Sequence, residues 1–216
     1  MHHEPVVDLV ERADLVLVPR GPRPPPEAWS SLVNGLPAVE RHRIGSVYRD
    51  SGQHDSAIGW SLLTALSARH GLSVRRNPAG RPVSDPPLDV SLSHGAGWVA
   101  VAGYRHGRVG VDVEAVREVT PALARRCLST AELGWLGRAR DARDRQRRFT
   151  RLWTAKEAYL KAIGTGLGLD PRSFTVDCSA PDPRLLGHDG PRWLFRSTAP
   201  ATGVRVTLCL ERAADE

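Results

Sequence analysis

Two acidic residues stand two apart in Arg108-Val-Gly-Val-Asp112-Val-Glu114. In a strand, Val109, Val111 and Val113 fall on one face and are predicted to meet a core. Gly110, Asp112 and Glu114 then share the opposite face, the carboxylates roughly 6.6 Å apart along the chain, from two rises of about 3.3 Å. A hard divalent cation such as Mg²⁺ takes oxygen ligands and keeps waters and substrate phosphates around it. This pair suits such an ion, with Gly110 expected to leave room for a ligand beside it. Taken alone, Asp-x-Glu equally suits a solvated strand face. A second candidate follows from a count. Of 30 Lys and Arg residues only two are lysines, Lys156 and Lys161, both in Trp153-Thr-Ala-Lys-Glu157-Ala-Tyr-Leu-Lys161. Lysine is a compact charge that can approach one phosphate oxygen, whereas arginine is a flat fork. On a helix Glu157 and Lys161 share a face, which also describes an ordinary exposed pair. The third is Ser91-Leu-Ser93-His94-Gly, where a strand-end His is placed to donate to a phosphate, or simply to pack.

The elements that must position these groups are legible as patterns. Leu15 to Val18 reads as a strand, and five prolines between Pro19 and Pro26 make an irregular connector. A helix is expected from about Glu27 to Val33. A second, capped by Asp55 or Ser56, carries Ile58, Leu62, Leu63 and Leu66 and ends at Gly71. Strands are expected over Val90–Ser93, Trp98–Ala102 and Val109–Glu114. Pro121 opens a helical region, Ser129-Thr-Ala-Glu132 matches a capping box, and Arg138 to Ile163 reads as one long helix or two abutting ones. Gly164-Thr-Gly-Leu-Gly168 stops it. Strands return at Phe174–Val176, Arg192–Arg196 and Val204–Leu210. Helix and strands thus occur twice, around residue 106. An α+β fold follows, with two similar halves, 1–106 and 107–216, packed side by side around a cleft.

The chain of 216 residues carries a formal charge of +6, which suits an anionic partner without choosing one. Cys127, Cys178 and Cys209 are odd in number and show no metal-ligand spacing, so a reducing, cytoplasmic setting is expected. Met1 to Pro5 lacks the pattern of a signal peptide. The longest apolar run nearby, Leu15 to Val18, is far too short to span a bilayer.

Together, Ser-x-Ser-His, Gly-Val-Asp-x-Glu and Trp-x-x-Lys-Glu-Ala-x-x-Lys, in this order and spacing, resemble the 4′-phosphopantetheinyl transferases. The similarity runs from about Glu40 to Val206 and is to the larger, surfactin-synthetase-activating type. The resemblance implies Mg²⁺-dependent transfer of the phosphopantetheine arm of the co-substrate coenzyme A to a serine of an apo carrier protein (acyl, polyketide or peptidyl), releasing 3′,5′-ADP. It implies that Asp112, Glu114 and Glu157 hold Mg²⁺, with Mn²⁺ the other ion that would suit them. Glu157 would act as base, Lys161 would assist at the diphosphate, and Ser93 and His94 would meet the 3′-phosphate or ribose. Arg43 and Arg81, the latter in Gly80-Arg-Pro82, would be basic coenzyme A contacts. One departure stands out: Ser56 occupies a position where many relatives carry a basic residue, with His54 or Arg41 as stand-ins. Weaker discrimination against dephospho-coenzyme A is expected.

The segment Arg138–Arg151 holds seven arginines and two aspartates, 7 − 2 = +5, and is expected to steer acidic carrier-protein domains. A cleft formed within one double-length chain points to a monomer. A metal-dependent phosphodiester hydrolase or other phosphoryl-transfer enzyme would leave Ser93, His94, Arg81 and Lys161 unexplained. Nucleic-acid binding lacks interleaved aromatics, which are 6% of residues. Neither nucleic acid nor membrane is an expected partner.

Overall fold

The structure, a computed structural model, describes residues 12–46 and 50–212; the N-terminal segment Met1–Pro5 lies outside them. The fold is α+β. Strand β1 (Asp14–Pro19) is followed by α1 (Pro26–Asn34), α2 (Ala38–Ser46) and α3 (Asp50–Arg69). Two short strands, β2 (Val74–Arg76) and β3 (Pro82–Ser84), precede β4 (Asp89–Gly95), β5 (Trp98–Tyr104) and β6 (Val109–Ala115). Helices α4 (Pro121–Cys127), α5 (Thr130–Gly137) and α6 (Ala142–Ile163) come next. The chain closes with β7 (Val176–Asp177), β8 (Arg184–Leu185), β9 (Trp193–Thr198) and β10 (Val204–Glu211).

Two antiparallel three-stranded sheets form the frame, ordered β1-β5-β4 and β6-β10-β9. Helix α3 packs on the first through Ala57, Trp60, Leu63 and Leu66, against Val90 and Val101. Helix α6 covers the second through Phe149, Leu152, Ala155, Ala158 and Ala162. Val109, Val111 and Val113 are buried with Ala100, Ala102 and Leu208, as their alternation requires.

Two sequence expectations about helices change, and one helix was not foreseen. Asp55 and Ser56 do not cap α3; they lie buried inside a helix that includes Asp50, where Asp55 finds its partner in Arg20 instead of a helix N–H. Helix α2 has too weak an apolar stripe to have been read from the sequence. The Arg138–Ile163 region is not continuous helix: α5 ends at Gly137, and Asp141 caps α6 by accepting from the Asp144 N–H at 2.6 Å. The predicted capping box at Ser129 and Glu132 is present, and Gly164 ends α6 at φ 77°.

Gly110 has a different role from the one its motif suggests. A Cβ there would stand 1.9 Å from the Ala158 carbonyl oxygen and 2.6 Å from the Ala162 nitrogen. The glycine admits the backbone of α6, not a ligand, because this face of β6 is where the helix lies. Gly110→Ala should therefore cost about 3 kcal/mol or more, since neither backbone can yield cheaply. Urea unfolding would show it as a lowered midpoint at unchanged slope; a midpoint within error of the parent would contradict this packing.

Candidate active site

The two sheets meet edge to edge at β4 and β6. Among the described residues no main-chain ladder joins these strands. Alternate side chains of β4 do the joining: Asp89 Oδ2, Ser91 Oγ and Ser93 Oγ accept from the N–H groups of Val109, Val111 and Val113 at 2.8, 3.0 and 3.3 Å. The Ser-x-Ser motif is thus first a seam. Its period of two matches the period at which β6 turns N–H groups to the same side.

At the seam's end lies a cavity of about 340 Å³, lined among others by Ser56, Arg76, Ser93, His94, Asp112, Glu114 and Lys161. Lys161, the last turn of α6, spends its three N–H groups on Asp112 Oδ1 at 2.7 Å, Ser93 Oγ at 2.8 Å and the Val111 carbonyl at 3.1 Å. Ser93 donates to Asp112 Oδ1 at 2.9 Å and accepts from both Lys161 and the Val113 N–H, so its hydroxyl is saturated within the protein. Its place is to orient Asp112 and Lys161. Asp112 is 4% exposed, yet its second oxygen, Oδ2, is buried with no hydrogen-bond partner. An orphaned carboxylate oxygen is costly unless something binds it.

Glu114, further along β6, receives a hydrogen bond from Trp153. Burial first, and then the charge of Asp112, raise its pKa above the usual carboxylate range. Glu157, one turn before Lys161, is raised for the same two reasons, with Glu114 adding to the repulsion and Lys161 opposing it. The three carboxylates therefore feel one field. Glu157 does not line the cavity, and among the described residues no three His, Cys, Asp or Glu side chains form a preassembled metal cage. A cation meeting the orphaned Asp112 oxygen and relieving this repulsion would fit the donor set, since carboxylate oxygens suit hard ions.

The remaining sequence candidates separate. His94 lines the cavity, its ring Nδ1 3.9 Å from Asp55 Oδ2, and burial lowers its pKa. Arg81 lies beside a second cavity of about 320 Å³ that shares Pro82, Leu92 and Lys161 with the first. There it is held by both oxygens of Asp89 at 3.0 Å. Arg43, on α2, lines neither cavity, and its Nε is buried without a hydrogen-bond partner. Arg41 is turned away, donating to the Asn34 and Leu36 carbonyls, and His54 is 5% exposed with its ring edge-on to Trp29. Neither stand-in reaches the cavity.

One residue lining the cavity escaped the sequence reading. Arg76 lines the cavity while gripping Glu40 with two N–H groups, at 2.7 and 2.9 Å. Only folding brings residue 76 to residue 40, so no local pattern marks it. Lys156, by contrast, stood out in composition, but its place is structural. It is fully buried, pairs with Glu132 Oε1 at 2.8 Å and donates to the Pro171 and Phe174 carbonyls at 2.7 Å.

The C-terminal half of the chain is similar to one superfamily. Residues 108–209 match the sequence model of the 4′-phosphopantetheinyl transferase superfamily. The chain is 34% identical over 103 residues to the 4′-phosphopantetheinyl transferase gsp of Aneurinibacillus migulanus, covering 48% of this chain and 43% of that protein. It is 30% identical over 172 residues to a phosphopantetheinyl transferase of Thraustochytrium sp., covering 68% and 59%. Over 145 residues it is 26% identical to the 4′-phosphopantetheinyl transferase Sfp of Bacillus subtilis strain 168, covering 63% and 64%. The matches span about half the length of the first of these relatives and under two thirds of each of the three. Through this segment the chain is similar to the 4′-phosphopantetheinyl transferase superfamily.

Proposed function

We propose that this chain transfers the 4′-phosphopantetheine arm of coenzyme A to a serine of an apo carrier protein and releases 3′,5′-ADP. The observation that carries the reading is the Lys161–Ser93–Asp112 cluster at the sheet seam, with Glu114 and Glu157 in the same electrostatic field. Residues 1–106 would supply coenzyme A contacts and residues 107–216 the carboxylates and the Lys-Glu helix, as one monomer.

Asp112, Glu114 and Glu157 would hold Mg²⁺, which when bound neutralises the charge that gathers on a diphosphate leaving group. Lys161 acts by its charge: its N–H groups are engaged, but the ammonium still faces the cavity and attracts the diphosphate over several ångströms. Ser93 keeps Asp112 and Lys161 in register. The carrier serine oxygen attacks the β-phosphorus as the phosphorus–oxygen bond to ADP breaks. Glu157 takes the serine proton, directly or through water; its raised pKa makes it the stronger base. His94 and Arg81, which line the two adjoining cavities, would contact the nucleotide.

Steering of the carrier narrows to part of the basic segment. Arg140, Arg147 and Arg148 converge on Asp144, and Arg148 also donates to the Trp135 carbonyl. Arg151 holds the Ala180 carbonyl. Arg138, Arg143 and Arg145 make no ion pair among the described residues. Reversing Arg143 and Arg145 to Glu should raise the apparent KM for an acidic carrier about tenfold at low salt and far less at high salt. An unchanged KM at low salt removes this surface from the reading.

The three cysteines are free and buried, and no helix among the described residues is long and apolar enough to cross a membrane. Both accord with work in the cytoplasm. The deciding experiment is mass spectrometry of an apo carrier protein incubated with this chain, coenzyme A and Mg²⁺. A gain of one phosphopantetheine supports the reading, and an unmodified carrier across acyl, polyketide and peptidyl types opposes it.

A further inference from the structure

Coenzyme A carries two separated anionic groups, a diphosphate and a phosphate monoester on the ribose. If the diphosphate sits by Lys161, Asp112 and Glu114, the rest of the nucleotide falls toward the cavity wall of Ser56, Arg76 and His94. The cations at and behind that wall are engaged by groups of the protein. Arg76 commits two N–H groups to Glu40 and a third to the Gly80 carbonyl at 2.6 Å, with its guanidinium over the Trp60 ring. Arg20 lies 3.5 Å from Asp55 Oδ2, the oxygen that also faces His94 Nδ1 at 3.9 Å. Arg23 stacks on Trp29 at 4.3 Å, and His54 is turned to the same ring. Two guanidinium groups, Arg20 and Arg76, thus stand against two carboxylates, Asp55 and Glu40.

Asp55 is the unusual member. It is 7% exposed, its Oδ1 has no hydrogen-bond partner, and its neighbour Ser56 lines the cavity. A buried carboxylate at this wall repels a phosphate dianion and already occupies the cation that would attract one.

We infer that Asp55 is a specificity-determining residue, which engages Arg20 and faces His94 so that the site accepts 3′-dephospho-coenzyme A nearly as well as coenzyme A. The inference rests on the donor reading given above, and locates the expected tolerance in Asp55, not in the lack of a basic side chain at Ser56.

Titration calorimetry of the full chain with Mg²⁺ and either donor tests it without needing turnover. The parent protein should bind the two donors with Kd values within about tenfold of each other. Asp55→Asn should shift the ratio toward coenzyme A by about tenfold. Arg20→Gln, on a partly exposed side chain, should shift it the opposite way by leaving Asp55 uncovered. It also serves if Asp55→Asn fails to fold. A parent preference for coenzyme A well beyond tenfold, or equal effects of both variants on both donors, overturns the inference while leaving the donor reading intact. Binding of neither donor overturns both.

Discussion

Asp112→Asn should lower carrier modification by about a thousandfold or more while leaving the fold in place. Several kcal/mol of charge stabilisation at a diphosphate converts, at about 1.4 kcal/mol per decade, to roughly three powers of ten. The amide keeps the shape and can still accept from Ser93 and Lys161, so the melting temperature should move by only a few degrees. What is lost is the negative charge at the buried, unpartnered Oδ2. The measurement is initial rate of holo-carrier formation by mass spectrometry, beside a thermal melt. A variant that folds and retains a tenth of the rate would remove Asp112 from the chemistry.

The largest stability effect is expected at Lys156. Substitution by Met keeps most of the stem volume but removes the ammonium from a site with no exposure. Glu132 would keep the N–H groups of Ser129 and Val176 and lose the counter-charge of Lys156, while the carbonyls of Pro171 and Phe174 would lose a donor. Breaking a buried pair by removing one partner costs about 3–5 kcal/mol. In a chain of this size that is a fall in melting temperature of roughly 10 °C. The pair ties α6 to both the capping box of α5 and the loop after Gly164, so Glu157 and Lys161 lose their anchor together. A melting temperature within 2 °C or so of the parent, allowing for scatter, would show that the pair contributes nothing net, as some buried pairs do.

These two lysines show where a sequence argument stops. Their scarcity among arginines picked out both, and the i, i+4 spacing put Glu157 and Lys161 on one helix face. Nothing in the sequence separated the buried strut from the cavity cation. That distinction depends on Glu132, Pro171 and Phe174, which are distant in sequence from Lys156. Gly110 shows the same limit in reverse. Its position beside Asp112 and Glu114 was legible, but whether the vacated space admits a ligand or a helix depends on how closely α6 lies, and Ala158 and Ala162 decide that it is a helix.

By itself the sequence determined which residues could do the chemistry, because strand alternation, helix spacing and glycine stops are local properties of the backbone. It also determined the α+β order of elements and the superfamily they resemble. The tertiary structure alone decided that Asp89, Ser91 and Ser93 stitch two sheets together and that Lys161 closes on Asp112. It likewise decided that the arginines near the cavity are matched by Glu40, Asp55 and Asp89. Contacts between distant residues depend on which faces the core brings together, and no period along the chain encodes them.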